Sequence, residues 1–198
     1  MNDSALTPEK ILEAAEEVLR RFGPAKATVV DVARALGVSH GSVYRHFPSK
    51  AALRDAVAKR WLSAISAPLH AVAMEDSPAP ERLRRWFDVL MRLKRNKVRD
   101  DPELFATYHQ LTAEAREVVG AHVEELKAHI ARIIADGVRR GEFSVADPKA
   151  AAQAVFHATT RFHNPVHAAE WSDPAIDSAF DGVWSFVLAG LGARRSST

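Results

Sequence analysis

The segment 28–50, TVVDVARALGVSHGSVYRHFPSK, constrains the fold of this chain more than any other stretch. Thr28 can cap a helix, and Asp31, three residues later, can return a hydrogen bond to it in a capping box. Apolar residues then recur at helical spacing until Gly37, which can adopt the left-handed conformation that ends a helix. Ser39 can cap a second helix. The segment therefore predicts two short helices joined by a tight glycine turn.

The second of these helices has one apolar and one small polar face. Val43 and Phe47 lie four residues apart and are expected to point inward. The residues expected to point outward are His40, Gly41, Ser42, Tyr44 and Arg45. This layout is that of a helix-turn-helix, in which one helix braces against the sugar-phosphate backbone and the next enters the major groove.

The outward residues have the chemistry that base edges require. Gly41 and Ser42 let the helix approach the bases closely, and Arg45 can donate two parallel hydrogen bonds to guanine. His40 or Ser42 can hydrogen-bond to other bases. Arg45 and either His40 or Ser42 are therefore the candidates for contacts with base edges.

Other residues near the turn suit phosphate oxygens. Tyr44 and His46 have the reach for them, although both could instead pack at the edge of the domain. Thr28 and Lys50 lie at helix N-termini, where free N–H groups and the helix dipole favour an anion. The predicted DNA-binding residues are Thr28, Ser39, His40, Gly41, Ser42, Tyr44, Arg45, His46 and Lys50.

The stretch GVSHGSVYRHFPSKAAL resembles the signature of TetR-type repressors. That signature is Gly-Val-Ser, a small residue, an aromatic followed by x-His-Phe, and then Lys-x-x-Leu. The resemblance covers roughly the first 60 residues, and beyond them only the all-helical length and layout are similar. It implies that Tyr44 and Lys50 contact phosphates and that residues 40–45 read bases. Arg45 stands where members of the family vary.

The same residues also match a hydrolase pattern. Gly37 to Gly41 read G-x-S-x-G, the nucleophile elbow, which needs a β-strand before the serine. The preceding VARAL is alanine-rich and helical, so we expect no enzymatic activity from this motif.

Composition agrees with a globular protein. Among 198 residues 47% are hydrophobic and 26% charged, and the absence of cysteine excludes disulfides, zinc fingers and thiol catalysis. No apolar run is long enough to cross a bilayer, so we expect a cytoplasmic location. Residues 1–60 hold ten Lys or Arg against seven Asp or Glu, a weak basic bias that suits DNA.

The whole chain is predicted to be all-α, with about nine helices. We expect an N-terminal three-helix helix-turn-helix domain over residues 1–60, with the motif at about 28–47. A C-terminal helical domain over 61–198 would bind an effector and dimerise. The remaining helices are predicted over 8–22, from 49 past 69, then 80–97, from 102, 112–140, 148–163 and 174–191.

The last two helices carry more apolar surface than packing within one subunit needs. Small and apolar residues line the first of them: Ala151, Ala154, Val155, Ala158 and Phe162. The second has a wide stripe: Ile176, Phe180, Val183, Trp184, Val187, Leu188 and Leu191. Two such pairs can form a four-helix bundle, as in the TetR family, so we expect a homodimer that reads pseudo-palindromic operator DNA. The alternative is that both helices pack inside one subunit.

The middle helices are predicted to surround an apolar effector pocket, although their aromatic residues could equally be ordinary core. The candidate lining residues are Trp86, Phe87, Met91, Phe105, Tyr108, Phe156 and His157. A small molecule there would act by favouring one arrangement of the DNA-binding domains, with the long fourth helix as the lever. We expect no cofactor.

Two further hypotheses remain open at this point. His157, His163 and His167 lie close in sequence, so a metal-binding sensor or metal-dependent enzyme is the alternative function. Asn164-Pro165 interrupts that run, and Pro165 can instead start a new helix capped by Asn164. A DNA-binding protein with a solid core and no effector is the third hypothesis.

Overall fold

A computed structural model describes residues 6–193, and every regular element within that range is helical. The α-helices are α1 (Pro8–Lys26), α2 (Val29–Leu36), α3 (His40–Tyr44), α4 (Lys50–Met74), α5 (Ala79–Asp100), α6 (Pro102–Glu114), α7 (Arg116–Arg139), α8 (Pro148–Ala158), α9 (Thr160–His163) and α10 (Ile176–Gly190). A 3₁₀ helix, Pro165–Glu170, follows α9. The predicted all-α class is confirmed, with ten α-helices and one 3₁₀ helix in place of about nine.

The chain divides into two compact units. Unit 1 contains residues up to Ser63 together with Asp101–Gly120. Unit 2 contains Ala64–Asp100 and the residues from Ala121 onward. Helices α4 and α7 contribute residues to both units, so the chain passes between them inside helices as well as between α5 and α6.

Unit 1 is built around one apolar core shared by α1, α2, α3, α4 and α6. Ile11, Val43 and Val57 are fully buried in it, and Leu111 of α6 is 1% exposed. An ion pair of 3.2 Å between Arg20 and Asp101 joins α1 to the start of α6. The helix-turn-helix is thus completed by a segment that lies about 50 residues beyond it.

Helix α1 ends differently from the prediction. The helix was expected to stop at Phe22, but it continues to Lys26, and the Phe22 side chain is 42% exposed. Gly23 has φ 72°, which breaks the regular geometry, and one further turn starts at Pro24 and reaches Lys26. A glycine tolerates this positive φ, so the chain kinks there instead of stopping.

Two other predicted helices are interrupted. The helix expected over 112–140 is divided at Ala115, where ψ is 55°, so α6 continues to Glu114 and α7 begins at Arg116. The helix expected over 148–163 breaks at Thr159, whose hydroxyl donates to the carbonyl of Val155 at 2.9 Å and competes with the helical pattern. The alternative start at Pro165 is confirmed, since the Asn164 side chain caps the 3₁₀ helix.

Unit 2 is a helical body with aromatic and aliphatic side chains at its centre. Leu83, Trp86, Phe87 and Leu90 of α5 are fully buried. Helix α7 approaches α5 closely at Gly137, where an added Cβ would lie 2.7 Å from the Cβ of Ala79.

Candidate nucleic-acid interface

The first helix of the motif is fixed at both ends by its sequence. The backbone N–H of Asp31 donates to the Thr28 hydroxyl at 3.2 Å, and that of Thr28 donates to the Asp31 carboxylate at 3.1 Å. The Thr28 hydroxyl also donates to the Asp31 carboxylate at 2.6 Å, and this hydrogen bond, together with the one from the Thr28 N–H, lowers the pKa of Asp31. Gly37 ends α2 with φ 67° and ψ 27°, as predicted for the turn.

Helix α3 begins at its predicted cap. The Ser39 hydroxyl accepts a hydrogen bond of 3.2 Å from the N–H of Ser42. Val43 is fully buried, and Phe47 packs partly buried against the same core. The apolar face of α3 therefore holds the helix to unit 1 and leaves its other face outward.

The outward face carries the predicted base-reading residues. His40, Gly41, Tyr44 and Arg45 are exposed, and Ser42 is partly buried. Tyr44 is 41% exposed and meets the ring of His40 edge to face at 6.3 Å. The guanidinium of Arg45 donates to Ser42 Oγ at 3.1 Å, and this hydrogen bond holds the Arg45 side chain along the surface of the helix.

The predicted phosphate contacts flank this face. His46 is exposed, and Lys50, the first residue of α4, is partly buried and forms no hydrogen bond or ion pair with the residues described. Thr28 and Lys50 both line one small cavity of about 20 Å³, so the N-termini of α2 and α4 lie near each other. The backbone N–H of Thr28 already donates to the Asp31 carboxylate. An anion at the N-terminus of α2 would therefore accept hydrogen bonds from the backbone N–H groups that follow Thr28.

Helix α6 is the part of unit 1 that the sequence analysis did not assign to it. Arg54 of α4 forms an ion pair of 2.5 Å with Glu114, and Trp61 stacks on Tyr108 at 4.8 Å between ring centroids. Asp101-Pro102 signals a helix start, but nothing in the sequence signals which surface that helix covers.

The residues predicted to line an effector pocket are divided between the two units. Phe105 and Tyr108 belong to unit 1, where Phe105 stacks on His109 at 6.4 Å. In unit 2, Trp86 and Phe87 meet edge to face at 4.9 Å, and Met91 is buried on the same helix. Phe156 lies 4.7 Å from the ring of His163, whereas His157 is exposed.

Two histidines of unit 2 that the sequence analysis did not single out are buried beside these aromatics. His122 and His129 of α7 are each 7% exposed. Burial lowers the pKa of Lys94 to about 8 and that of His122 to about 4. The available signal was the spacing of the two histidines, which places them on the same face of α7 as Leu126 and Ile130.

The structure does not bring the predicted metal-binding histidines together. His163 is 2% exposed and hydrogen-bonds to Thr159 at 3.2 Å, while His167 pairs with Glu170 at 2.7 Å. Within residues 6–193 no three histidine, aspartate or glutamate side chains are grouped as a metal site requires. The metal-based alternative is not supported.

The last two long helices form an apolar groove. Its volume is about 280 Å³, and its lining residues are Ala151, Ala154, Val155, Ala158, Val183, Phe186, Val187, Gly190 and Leu191. Part of the predicted α10 stripe is internal instead, since Ile176, Phe180 and Trp184 are buried and Phe162 packs on Phe180 at 5.1 Å. Phe186, which the prediction omitted, is 82% exposed.

This fold and the exposed face of α3 define a helix-turn-helix DNA-binding protein with an additional helical unit. Residues 11–57 match the family described as bacterial regulatory proteins, tetR family, and residues 79–184 match the tetracyclin repressor-like C-terminal domain. The chain belongs to the TetR family of transcriptional regulators. No helix within residues 6–193 has both the length and the apolar character needed to span a membrane.

Individual relatives extend the comparison. The chain is 32% identical over 84 residues to the nucleoid occlusion factor SlmA of Vibrio atlanticus, which covers 42% of this chain and less than half, 43%, of that relative. SmeT, the repressor of the Stenotrophomonas maltophilia efflux pump SmeDEF, superposes with a TM-score of 0.70 at 20% identity over 98% of this chain and 94% of its own. FadR of Bacillus subtilis, in complex with stearoyl-CoA, superposes with a TM-score of 0.64 at 20% identity. That superposition covers 93% of this chain and 99% of the FadR chain. At these identities the two structures establish the fold alone.

Proposed function

We propose that this protein is a homodimeric repressor that binds pseudo-palindromic operator DNA through α3 and leaves it when a small molecule binds unit 2. The observation that carries the proposal is the outward face of α3. It presents small, polar and cationic side chains on a helix whose opposite face is anchored by the fully buried Val43. It is a regulator and not an enzyme in this proposal, and it acts in the cytoplasm with the chromosome.

The roles of the DNA-binding residues follow from their placement. Arg45 would exchange its hydrogen bond to Ser42 for two bonds to a guanine, at little conformational cost because the side chain already lies along α3. Tyr44, His46 and Lys50 would contact phosphates on either side and fix the register of α3 in the groove. Ser39, His40 and Gly41 would lie nearest the bases.

The proposed dimer interface is the apolar groove of α8 and α10. Leaving a phenylalanine 82% exposed beside alanine, valine and glycine is unfavourable in water, and a second copy of the same surface would cover it. Two α8–α10 pairs make a four-helix bundle. The two α3 helices would then read half-sites separated by whole turns of DNA.

Effector release requires communication between the units. Helix α6 follows α5 directly in the chain and packs in unit 1 against α1 and α4, through Asp101, Tyr108 and Glu114. A ligand that shifts α5 or α7 would therefore act on the DNA-binding unit through α6 as well as through α4. SmeT and FadR, which have this fold, are respectively a repressor and a protein seen with an acyl-CoA.

The proposal is tested by selecting genomic fragments that the purified protein retains. We expect a two-fold symmetric sequence to be recovered, and the neighbouring genes to suggest candidate effectors. Each candidate is then added to the protein–DNA complex. A ligand that dissociates the complex supports repression with induction, whereas the absence of any enriched sequence contradicts operator binding.

A further inference from the structure

Unit 2 buries several polar atoms that have no hydrogen-bond partner among the residues described. Trp86 is fully buried and its indole Nε1 is unpaired. Both ring nitrogens of His122 and Nδ1 of His129 are also unpaired. Buried polar groups in proteins are normally satisfied, so a group of unpaired ones calls for an explanation.

These atoms belong to one cluster. The rings of Trp86 and His129 meet edge to face at 6.3 Å, and His129 Nε2 lies 3.4 Å from Nδ1 of His70 on α4. His122 lies close enough to His129 for a charge on His129 to lower the pKa of His122. Helices α4, α5 and α7 therefore direct polar side chains towards a common region.

Lys94 provides the charge of this cluster. It lies eight residues after Trp86 on α5, which places both on the same face of that helix. Its positive charge acts on His122 of α7 and on His163 of α9. Lys94 forms no ion pair within residues 6–193, and the pKa of about 8 that burial gives it leaves most of the amine protonated at neutral pH.

The cluster offers donors and a positive charge but contains no carboxylate. Indole N–H and ammonium groups only donate, and each neutral imidazole carries one further N–H. The carboxylate of Glu125 favours the protonated form of His129, but the Glu125 side chain is itself exposed. Apolar rings adjoin the cluster, because Phe87 and Phe156 both lie against His163.

We propose that Lys94, Trp86 and His122 form the effector site of this protein, and that the effector is a carboxylate attached to an apolar body. The proposal rests on the proposed function and specifies the chemistry of its ligand. The carboxylate would accept hydrogen bonds from Lys94 Nζ, Trp86 Nε1 and a ring nitrogen of His122, while the apolar body would pack on Phe87 and Phe156. Without a ligand these donors reduce stability, and a ligand that satisfies them stabilises the folded state.

The test measures ligand binding to the full chain in the absence of DNA. The probes are linear carboxylates of six to twelve carbons, benzoate and 1-naphthoate, each with its primary amide as a neutral match. Tryptophan fluorescence and the melting temperature report binding. We expect at least one carboxylate to bind, and its amide to bind at least roughly tenfold more weakly, because only the acid forms an ion pair with the ammonium of Lys94.

Variants locate the site. Lys94→Met keeps the length of the side chain and removes the charge, and it should weaken carboxylate binding roughly tenfold or more. Arg92→Met, an exposed cation on the same helix, is the matched control and should leave binding unchanged. Trp86→Phe keeps a ring and removes the N–H, and it provides a second test if Lys94→Met does not fold.

The outcomes separate this inference from the proposed function. If no carboxylate binds, if amides bind as well as acids, or if Lys94→Met and Trp86→Phe bind like the native protein, the inference is wrong. Operator binding is measured separately on the same proteins. Lys94→Met should bind the operator as tightly as the native protein does, but carboxylates should no longer release it from DNA. If the native protein itself binds no operator, the proposed function is wrong instead.

Discussion

Trp61 and Tyr108 stack with their ring centroids 4.8 Å apart and their planes inclined by 8°. They lie 47 residues apart in the chain, on α4 and α6, and both belong to unit 1. The contact makes α6 an integral part of the unit that carries the helix-turn-helix. Stability of the DNA-binding unit therefore depends on a helix from the middle of the chain.

Alanine substitutions at the two tyrosines of the chain, one buried and one exposed, test this dependence. Tyr108 is 4% exposed, so Tyr108→Ala removes a buried ring and should lower the free energy of unfolding by about 3 kcal/mol. Tyr44→Ala, at an exposed position, should change it by less than about 0.5 kcal/mol. Urea denaturation measures both. Equal effects on stability would contradict the role of α6 in the core.

Arg45 and Lys50 are expected to affect DNA binding in different ways. Arg45→Ala should reduce discrimination at one base position by about 1–3 kcal/mol, because a base contact is lost. Lys50→Ala should weaken binding to all sequences alike and lower the salt slope by about one, because a phosphate contact is lost. Affinity measured over a set of single-base operator variants distinguishes them. An unchanged profile for both variants would contradict the assigned contacts.

The local structure of the motif was predictable because it depends on neighbouring residues. Thr28 with Asp31, Gly37 and Ser39 form caps and a turn that are specified within a few positions, and the structure contains each of them. Which surface α6 covers was not predictable, since that choice depends on contacts between Trp61 and Tyr108 or Arg54 and Glu114 far apart in sequence. The exposed Phe186 was missed because a stripe drawn at helical spacing does not separate the internal face of α10 from its outer face.

Replacing Gly37 or Gly120 with alanine should change the free energy of unfolding in opposite directions. Gly37 has φ +67°, so Gly37→Ala forces a side chain into the left-handed region and should cost about 1 kcal/mol. Gly120 lies inside α7 with nothing within 4 Å of an added Cβ, so Gly120→Ala should stabilise by about 0.5–1 kcal/mol. Thermal or urea unfolding gives both values, and a gain in stability from Gly37→Ala would contradict the turn geometry.

Stability should fall as the pH is lowered from 6.5 towards 5. Burial depresses the pKa of His163 to about 3, so the folded protein keeps this ring neutral while the unfolded chain takes up a proton below its ordinary pKa of 6.5. Each such histidine lowers the free energy of unfolding by up to about 1.4 kcal/mol per pH unit in that window. His122, with its pKa of about 4, adds to the slope.

Two histidine variants test whether the buried His163 causes this pH dependence of stability. His163→Gln should reduce the slope measured by urea denaturation between pH 5 and 6.5. His157→Gln, at an exposed position, should leave the slope unchanged. A native protein whose stability is flat over this range would contradict the burial of a neutral His163.

A charged side chain placed in the apolar groove of α8 and α10 should prevent dimerisation. Phe186→Glu would place a carboxylate in the proposed interface and should shift the protein to monomers. Val166→Glu, at an apolar position that is 70% exposed and outside the groove, should leave the dimer intact. Sedimentation over a range of concentrations measures both. Dimers of unchanged affinity in Phe186→Glu would exclude this groove as the interface.

The central claim is tested most directly by the affinity of the purified protein for a selected duplex and for a scrambled duplex over a series of salt concentrations. We expect two subunits per selected site, a preference over the scrambled sequence of at least roughly a thousandfold, and affinity that falls steeply with added salt for both duplexes. A stable monomer whose weak binding does not depend on salt would contradict the assignment of α3 as a DNA-reading helix.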